Sequence, residues 1–218
     1  MWFFNATFPE IAMRILSVLV IIFLILPLHE MAHGWMASKL GDKTAKYSGR
    51  LTLNPLAHVD PFGAVCILLF GFGWAKAVPV NPRNLNNPKR DMALVGLAGP
   101  VSNLIAALVG AILYNIILLI GLPMEVMAWV AVFFGFYVSI NINLAVFNLL
   151  PIPPLDGSRI IGAFLSDRAL YKYYQYENYI MIGLFFLLFI GVLDVPLRFL
   201  SNLVGNGVWW LANLPFGF

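Results

Sequence analysis

Three residues carry the densest chemical information in this chain: His29, Glu30 and His33, within His29-Glu30-Met31-Ala32-His33. On an α-helix, positions i and i+4 lie about 6 Å apart along the axis and about 40° apart around it. Both imidazoles therefore share one face and can grip a single metal ion, with zinc the natural choice for such ligands. Glu30, between them, can take a proton from water held at that metal. The bland alternative is two packed core histidines beside a chance glutamate. That alternative is costly here, because the surrounding stretch is long and apolar enough to cross a membrane, where ionisable groups are expensive and commonly functional.

A catalytic zinc usually takes three protein ligands and keeps a fourth position for water. His29 and His33 supply two, and the candidates for the third are His58, Asp60, Asp91, Asp156 and Glu177. Asp156 is preferred on physical grounds. It follows Phe147-Asn148-Leu149-Leu150-Pro151-Ile152-Pro153-Pro154-Leu155, whose three prolines prevent a regular helix. The carbonyls left exposed are tolerable only in a buried or water-lined site, and such a break can turn a carboxylate back toward the bundle. The alternative is that Asp156-Gly157 forms an ordinary turn.

An oxyanion formed during hydrolysis needs a donor beyond the metal. Asn103 is one candidate, about 18 Å along its span from Asp91 and close to the depth of His29. Asn148 is another, with Asn141 and Asn143 one to two turns earlier. The competing role for these asparagines is bonding between neighbouring helices. His58 could line the site, gate it or bond within a loop.

Composition determines the surroundings. Of 218 residues, 61% are hydrophobic and only 11% charged, and the mean hydropathy is +0.87. Such a chain is an all-α polytopic membrane protein, forming one membrane-embedded domain over 1–218. A single cysteine, Cys66, excludes an internal disulfide and a cysteine-based zinc site. The basic balance is explained by membrane orientation, so no nucleic acid is expected as partner. The first residues, Met-Trp-Phe-Phe-Asn, lack the basic start of a cleavable signal peptide.

Four spans are expected, at about Ile11 to Leu40, Met92 to Ile120, Val126 to Leu150 and Tyr179 to Val195. Pro27 predicts a kink just before His29. Residues 61–73 form an apolar run too short to span and read as a re-entrant segment, or as a fifth span if paired. The tail, 196–218, reads as an interfacial helix or one docked on the core. Tyr47–Leu53 alternates like a strand, with Lys76–Val80 as its partner in a small β-hairpin. An exposed edge there could hold an unwound substrate, or the hairpin could be merely structural.

Eight basic residues, Lys39, Lys43, Lys46, Arg50, Lys76, Arg83, Lys89 and Arg90, lie between the first and second spans, and Arg159, Arg168 and Lys172 lie between the third and fourth. The positive-inside rule puts these loops in the cytoplasm and both termini outside, in a multi-pass plasma-membrane protein. His33 and His29 then sit about 10 Å and 16 Å inside the cytoplasmic end of the first span.

The combination of motifs resembles the site-2 protease family of intramembrane zinc metalloproteases, in its short prokaryotic form without a PDZ or CBS domain. The matching pieces are His29-Glu30-x-x-His33, Asn148-x-x-Pro151, Leu155-Asp156-Gly157, Asn54-Pro55-Leu56-Ala57-His58-Val59-Asp60-Pro61 and Ala98-Gly99-Pro100-x-x-Asn103. The resemblance implies that His29, His33 and Asp156 hold one zinc per protomer, that Glu30 is the general base, and that Asn148 touches the substrate backbone. It also implies cleavage of transmembrane protein substrates within the lipid bilayer.

Two other classes compete. One is a noncatalytic membrane protein that binds metal or transmembrane partners, but Glu30 and every ligand candidate are present. A transporter would show repeats or a pathway of ionisable groups, and neither is evident. The other is a zinc hydrolase acting on lipid or another small molecule, since the same metal chemistry serves many substrates. Nothing in the sequence specifies an oligomer.

Overall fold

The structure is a computed structural model that describes residues 7–70 and 73–217. The opening residues read above for a signal peptide lie outside the described residues, as do positions 71 and 72 of the re-entrant run. Eleven α-helices are described: α1 (Phe8–Val20), α2 (Leu26–Lys39), α3 (Thr44–Tyr47), α4 (Pro55–His58), α5 (Pro61–Phe70), α6 (Pro88–Ile120), α7 (Met124–Asn148), α8 (Asp156–Gly162), α9 (Asp167–Gln175), α10 (Glu177–Phe189) and α11 (Asp194–Asn213).

The first span is α1 and α2 joined into one 32-residue helical rod, Phe8–Lys39. The irregularity expected at Pro27 takes the form of a π-helical segment, Ile21–Ile25, in which the Leu26 N–H bonds the Ile21 carbonyl. Widening the helix by one residue there makes room for a ring that would otherwise press on the preceding turn. Pro27 then falls in the first turn of α2.

The second span, α6, is 33 residues long and is the central strut. The Asn87 side chain accepts from the Arg90 N–H at its start, and Gly121 closes it in the left-handed conformation with φ 70°. Helix α7 returns beside it, with the Tyr137 ring filling the notch at Gly110, where a Cβ would lie 2.5 Å from Tyr137 Cε1. The apolar core runs from Ile21 and Ile25 through Ala106 to Ile140. These three spans match the sequence expectation to within about four residues at each end.

The fourth span differs. A continuous helix over 179–195 is not formed. Helix α10 ends at Phe189 because Gly191 adopts φ 74°, and α11 leaves at 86° to it. Among the residues of α10 only Leu184 is buried. In the C-terminal tail, Val208 and Ala212 of α11 pack on Ala107 and Ala111 of α6 and on Val138 and Ile142 of α7. The Asn115 side chain anchors it, donating to the Ala212 carbonyl at 3.0 Å and to Asn213 Oδ1 at 2.8 Å. Among the described residues, three helices are long and apolar enough to cross a membrane, and the α10–α11 pair makes a fourth when it is counted as one broken span.

The β-hairpin expected from Tyr47–Leu53 and Lys76–Val80 is not formed, and no strand occurs among the described residues. Ala45 is fully buried and sits 3.1 Å from where a Gly34 Cβ would be, so packing on α2 draws residues 44–47 into a helical turn. Residues 75–80 remain extended, but pair elsewhere. Val59 and Ala75 form an isolated antiparallel bridge, and the Lys76 N–H donates to the His58 carbonyl at 2.7 Å. Arg50 still reaches the segment, through its guanidinium to the Lys76 and Ala77 carbonyls.

Candidate metal centre

Helix α2 presents His29 and His33 toward α6. The Nδ1 of His33 lies 2.6 Å from the Val95 carbonyl oxygen, and the Nδ1 of His29 lies 3.2 Å from Asn103 Oδ1. Both acceptors demand a proton on Nδ1. Each ring is thereby held in the tautomer whose Nε2 lone pair is free for a metal.

The third arm comes from α8. Residues 149–155 turn back after α7, and Asp156 opens the new helix. The turn is tight at Gly157, where a Cβ would collide with the Leu149 and Leu150 carbonyls. Gly96 lets α8 lie against α6, since a Cβ there would be 2.8 Å from the Asp156 carbonyl oxygen. The result brings Asp156 Oδ2 to 3.3 Å from His29 Nε2 and 3.2 Å from His33 Nε2, with the two Nε2 atoms 3.0 Å apart. The other carboxylate oxygen, Oδ1, is 3.6 Å from the Arg159 guanidinium.

This triangle fits zinc. Ligand atoms on a tetrahedral zinc at about 2.0–2.1 Å stand about 3.3 Å from one another. The three donor atoms here are within a few tenths of an ångström of that spacing, and all three residues are buried. Gly99 supplies the space beside them: a Cβ at that position would lie 2.6 Å from His29 Nε2 and closer still to His33 Nε2.

Glu30 is buried next to the cluster but outside it, with Oε2 accepting from the Val78 N–H at 2.8 Å. One carboxylate oxygen is thus tied to the extended segment 75–80, and Oε1 is left for other work.

The remaining candidates are placed elsewhere. His58 is fully buried, its Nε2 2.8 Å from the Thr52 carbonyl, and does not join the cluster. Asp60 accepts from the Gly63 N–H at the start of α5. Asp91 accepts from the Asn87 N–H and pairs with Arg90 at the start of α6. Glu177 lies in the first turn of α10. Asn103, considered as an oxyanion donor, has its carbonyl oxygen at His29, while its Nδ2 is buried with no partner among the described residues. The Nδ2 of Asn148 donates to the Leu144 carbonyl at 2.9 Å, and that of Asn141 to the Tyr137 carbonyl at 2.9 Å.

Four participants were not legible as chemistry. Val95 and Val78 act through backbone atoms, which leave no side-chain signature. Arg159 is one of several basic residues in its loop. Gly99 was visible only as part of Ala98-Gly99-Pro100-x-x-Asn103, without its reason.

Comparison with known proteins agrees with this site. The profile described as Peptidase family M50 matches residues 115–190, a stretch that contains Asp156. A Bacillus subtilis (strain 168) protein named as a zinc metalloprotease, YwhC, is 46% identical over 167 residues, covering 75% of each chain. Rip2 of Mycobacterium tuberculosis (strain H37Rv), also named as a zinc metalloprotease, is 32% identical over 167 residues, covering 72% of this chain and 62% of that protein. The zinc metalloprotease by name MJ0611 of Methanocaldococcus jannaschii is 31% identical over 136 residues, covering 61% and 62%. No solved structure matches the chain. With three quarters of its length aligned to three quarters of YwhC, a metal-fitting cluster of two histidines and an aspartate, and several membrane-crossing helices, this chain belongs to peptidase family M50, the site-2 proteases.

Proposed function

We propose that the chain is an intramembrane zinc endopeptidase that hydrolyses peptide bonds within or near transmembrane segments of membrane proteins. The observation that carries this reading is the buried His29–His33–Asp156 triangle on membrane-crossing helices, with Glu30 beside it. In this reading His29, His33 and Asp156 hold one zinc per protomer. When bound, the metal supplies Lewis acidity to water and to the scissile carbonyl.

The chain's own residues do the rest. Glu30 Oε1 takes a proton from the attacking water and returns it to the leaving amine. Val78 keeps the other oxygen in place. Asn103 holds the His29 ring, and Asn148, near the end of α7, contacts the substrate backbone. A helical peptide bond is hidden by its own hydrogen bonds, so the substrate unwinds before it is cut. By the positive-inside rule the site lies in the cytoplasmic half of the plasma membrane.

The test is purified wild type against Glu30→Gln on labelled single-span substrates, with zinc measured in both. Gln keeps a side-chain oxygen for the Val78 N–H but cannot accept the water's proton. The variant should retain about one zinc and the fold while losing turnover. Substantial residual cleavage would remove Glu30 from its role. An inactive wild type with full zinc would favour the noncatalytic metal-binding reading.

A further inference from the structure

Helix α11 carries Asp194, Arg198, Asn202 and Asn206, each four residues from the last, which puts them along one side. All four are exposed. They line a groove of about 650 Å³ between α11 and α7, with Ser139 and Asn143 on its far wall. No hydrogen bond or ion pair joins these four side chains to another described residue.

The groove lies at membrane depth. Gly205 faces Ile142, with a Cβ reaching 3.6 Å from Ile142 Cδ1, and Trp209 packs on Tyr114 with ring centroids 5.8 Å apart. Ile142 and Tyr114 each sit six residues, about 9 Å, inside the ends of their spans. Asn202 and Asn206 therefore face outward where lipid can offer neither donor nor acceptor.

We propose that this stripe is the interface with a second copy of the chain, related by a two-fold axis along the membrane normal. The stripe is self-complementary. Such an axis sets like residues at equal depth, and a carboxamide is both donor and acceptor, so Asn202 and Asn206 can each bond their counterparts. Asp194 and Arg198 cancel in charge and stand one turn apart, so Arg198 reaches the partner's Asp194. Ser201, small and on the groove side, adds no bulk against a second helix. Identical patches meeting across a two-fold axis are the usual form of a homodimer contact.

The experiment uses full-length protein with Cys66→Ala, in native membranes and then in bilayers. Asn206→Cys should form an oxidative cross-link between two copies. Leu200→Cys, exposed but rotated about 200° from Asn202 around the helix, should not. Single-molecule photobleaching should show dimers of the cysteine-free chain that dissociate about tenfold more readily with Asn202→Leu and Asn206→Leu together. Leucine suits a lipid-facing position, so the fold and bound zinc should be unchanged. Equal cross-linking at Leu200 and Asn206, monomers at all protein-to-lipid ratios, or cross-links only to a different protein would each overturn the proposal.

Discussion

The backbone N–H of Val78 donates to Oε2 of Glu30 across 2.8 Å, and both residues are buried. A strip of extended chain thus orients the carboxylate in the histidine motif from outside its own helix. Val78→Pro removes the donor at a position that the following Pro79 already biases toward extended backbone, and Val78→Ala controls for the lost valine packing. Leaving a buried carboxylate oxygen unpaired costs about 1–3 kcal/mol. Cleavage should fall about tenfold or more in Val78→Pro with zinc retained, and much less in Val78→Ala. Equal activity of the two variants would deny Val78 N–H an orienting role.

Gly99 should be irreplaceable. Even alanine puts a methyl carbon against both imidazoles on their metal-facing side. Gly99→Ala should lose most of its zinc, read by elemental analysis of purified protein. Gly135→Ala, where a Cβ meets nothing within 4 Å, should keep it. Asn103→Leu leaves the His29 Nδ1 proton without its acceptor and should weaken zinc binding about 10–100-fold in competition with a chelator.

Asp42 gives the region a pH dependence. The residue is fully buried. Burial disfavours its charge, but bonds from the Thr44 hydroxyl, Asn84 Nδ2, the Asn81 N–H and the Thr44 N–H more than offset this and hold its carboxyl below the ordinary range. These bonds tie residues 42–44 to 81–84, just beyond the Val78 segment. A carboxyl depressed in the folded state contributes stability above its unfolded pKa, near 3.9. That contribution is lost as pH falls through the folded value. Asp42→Asn should therefore lower the melting temperature at pH 7, and the gap from wild type should narrow below about pH 4.

The basic loops should face the cytoplasm and the start of α1 the outside. On a Cys66→Ala background, an impermeant thiol reagent applied to intact cells should label Phe8→Cys and not Arg83→Cys. The reverse pattern would invert the orientation.

Much was legible in the sequence because it is local. His29 and His33 share a helix, so their spacing alone puts two ligands on one face. The three long spans follow from uninterrupted apolar length. What was not legible depends on chain segments distant in sequence. Asp156 was already preferred among five candidates for the third ligand, but how it reaches the histidines depends on Gly96 and Gly157, which let α8 tuck against α6. Tyr47–Leu53 alternates like a strand, yet burial of Ala45 against Gly34 draws its first residue into the helical turn 44–47. The apolar run at 179–195 is broken by Gly191, and α11 docks instead through Asn115, Val208 and Ala212. Val95 acts through a carbonyl that every residue offers and Val78 through an N–H that every residue but proline offers, so only the tertiary structure could assign them.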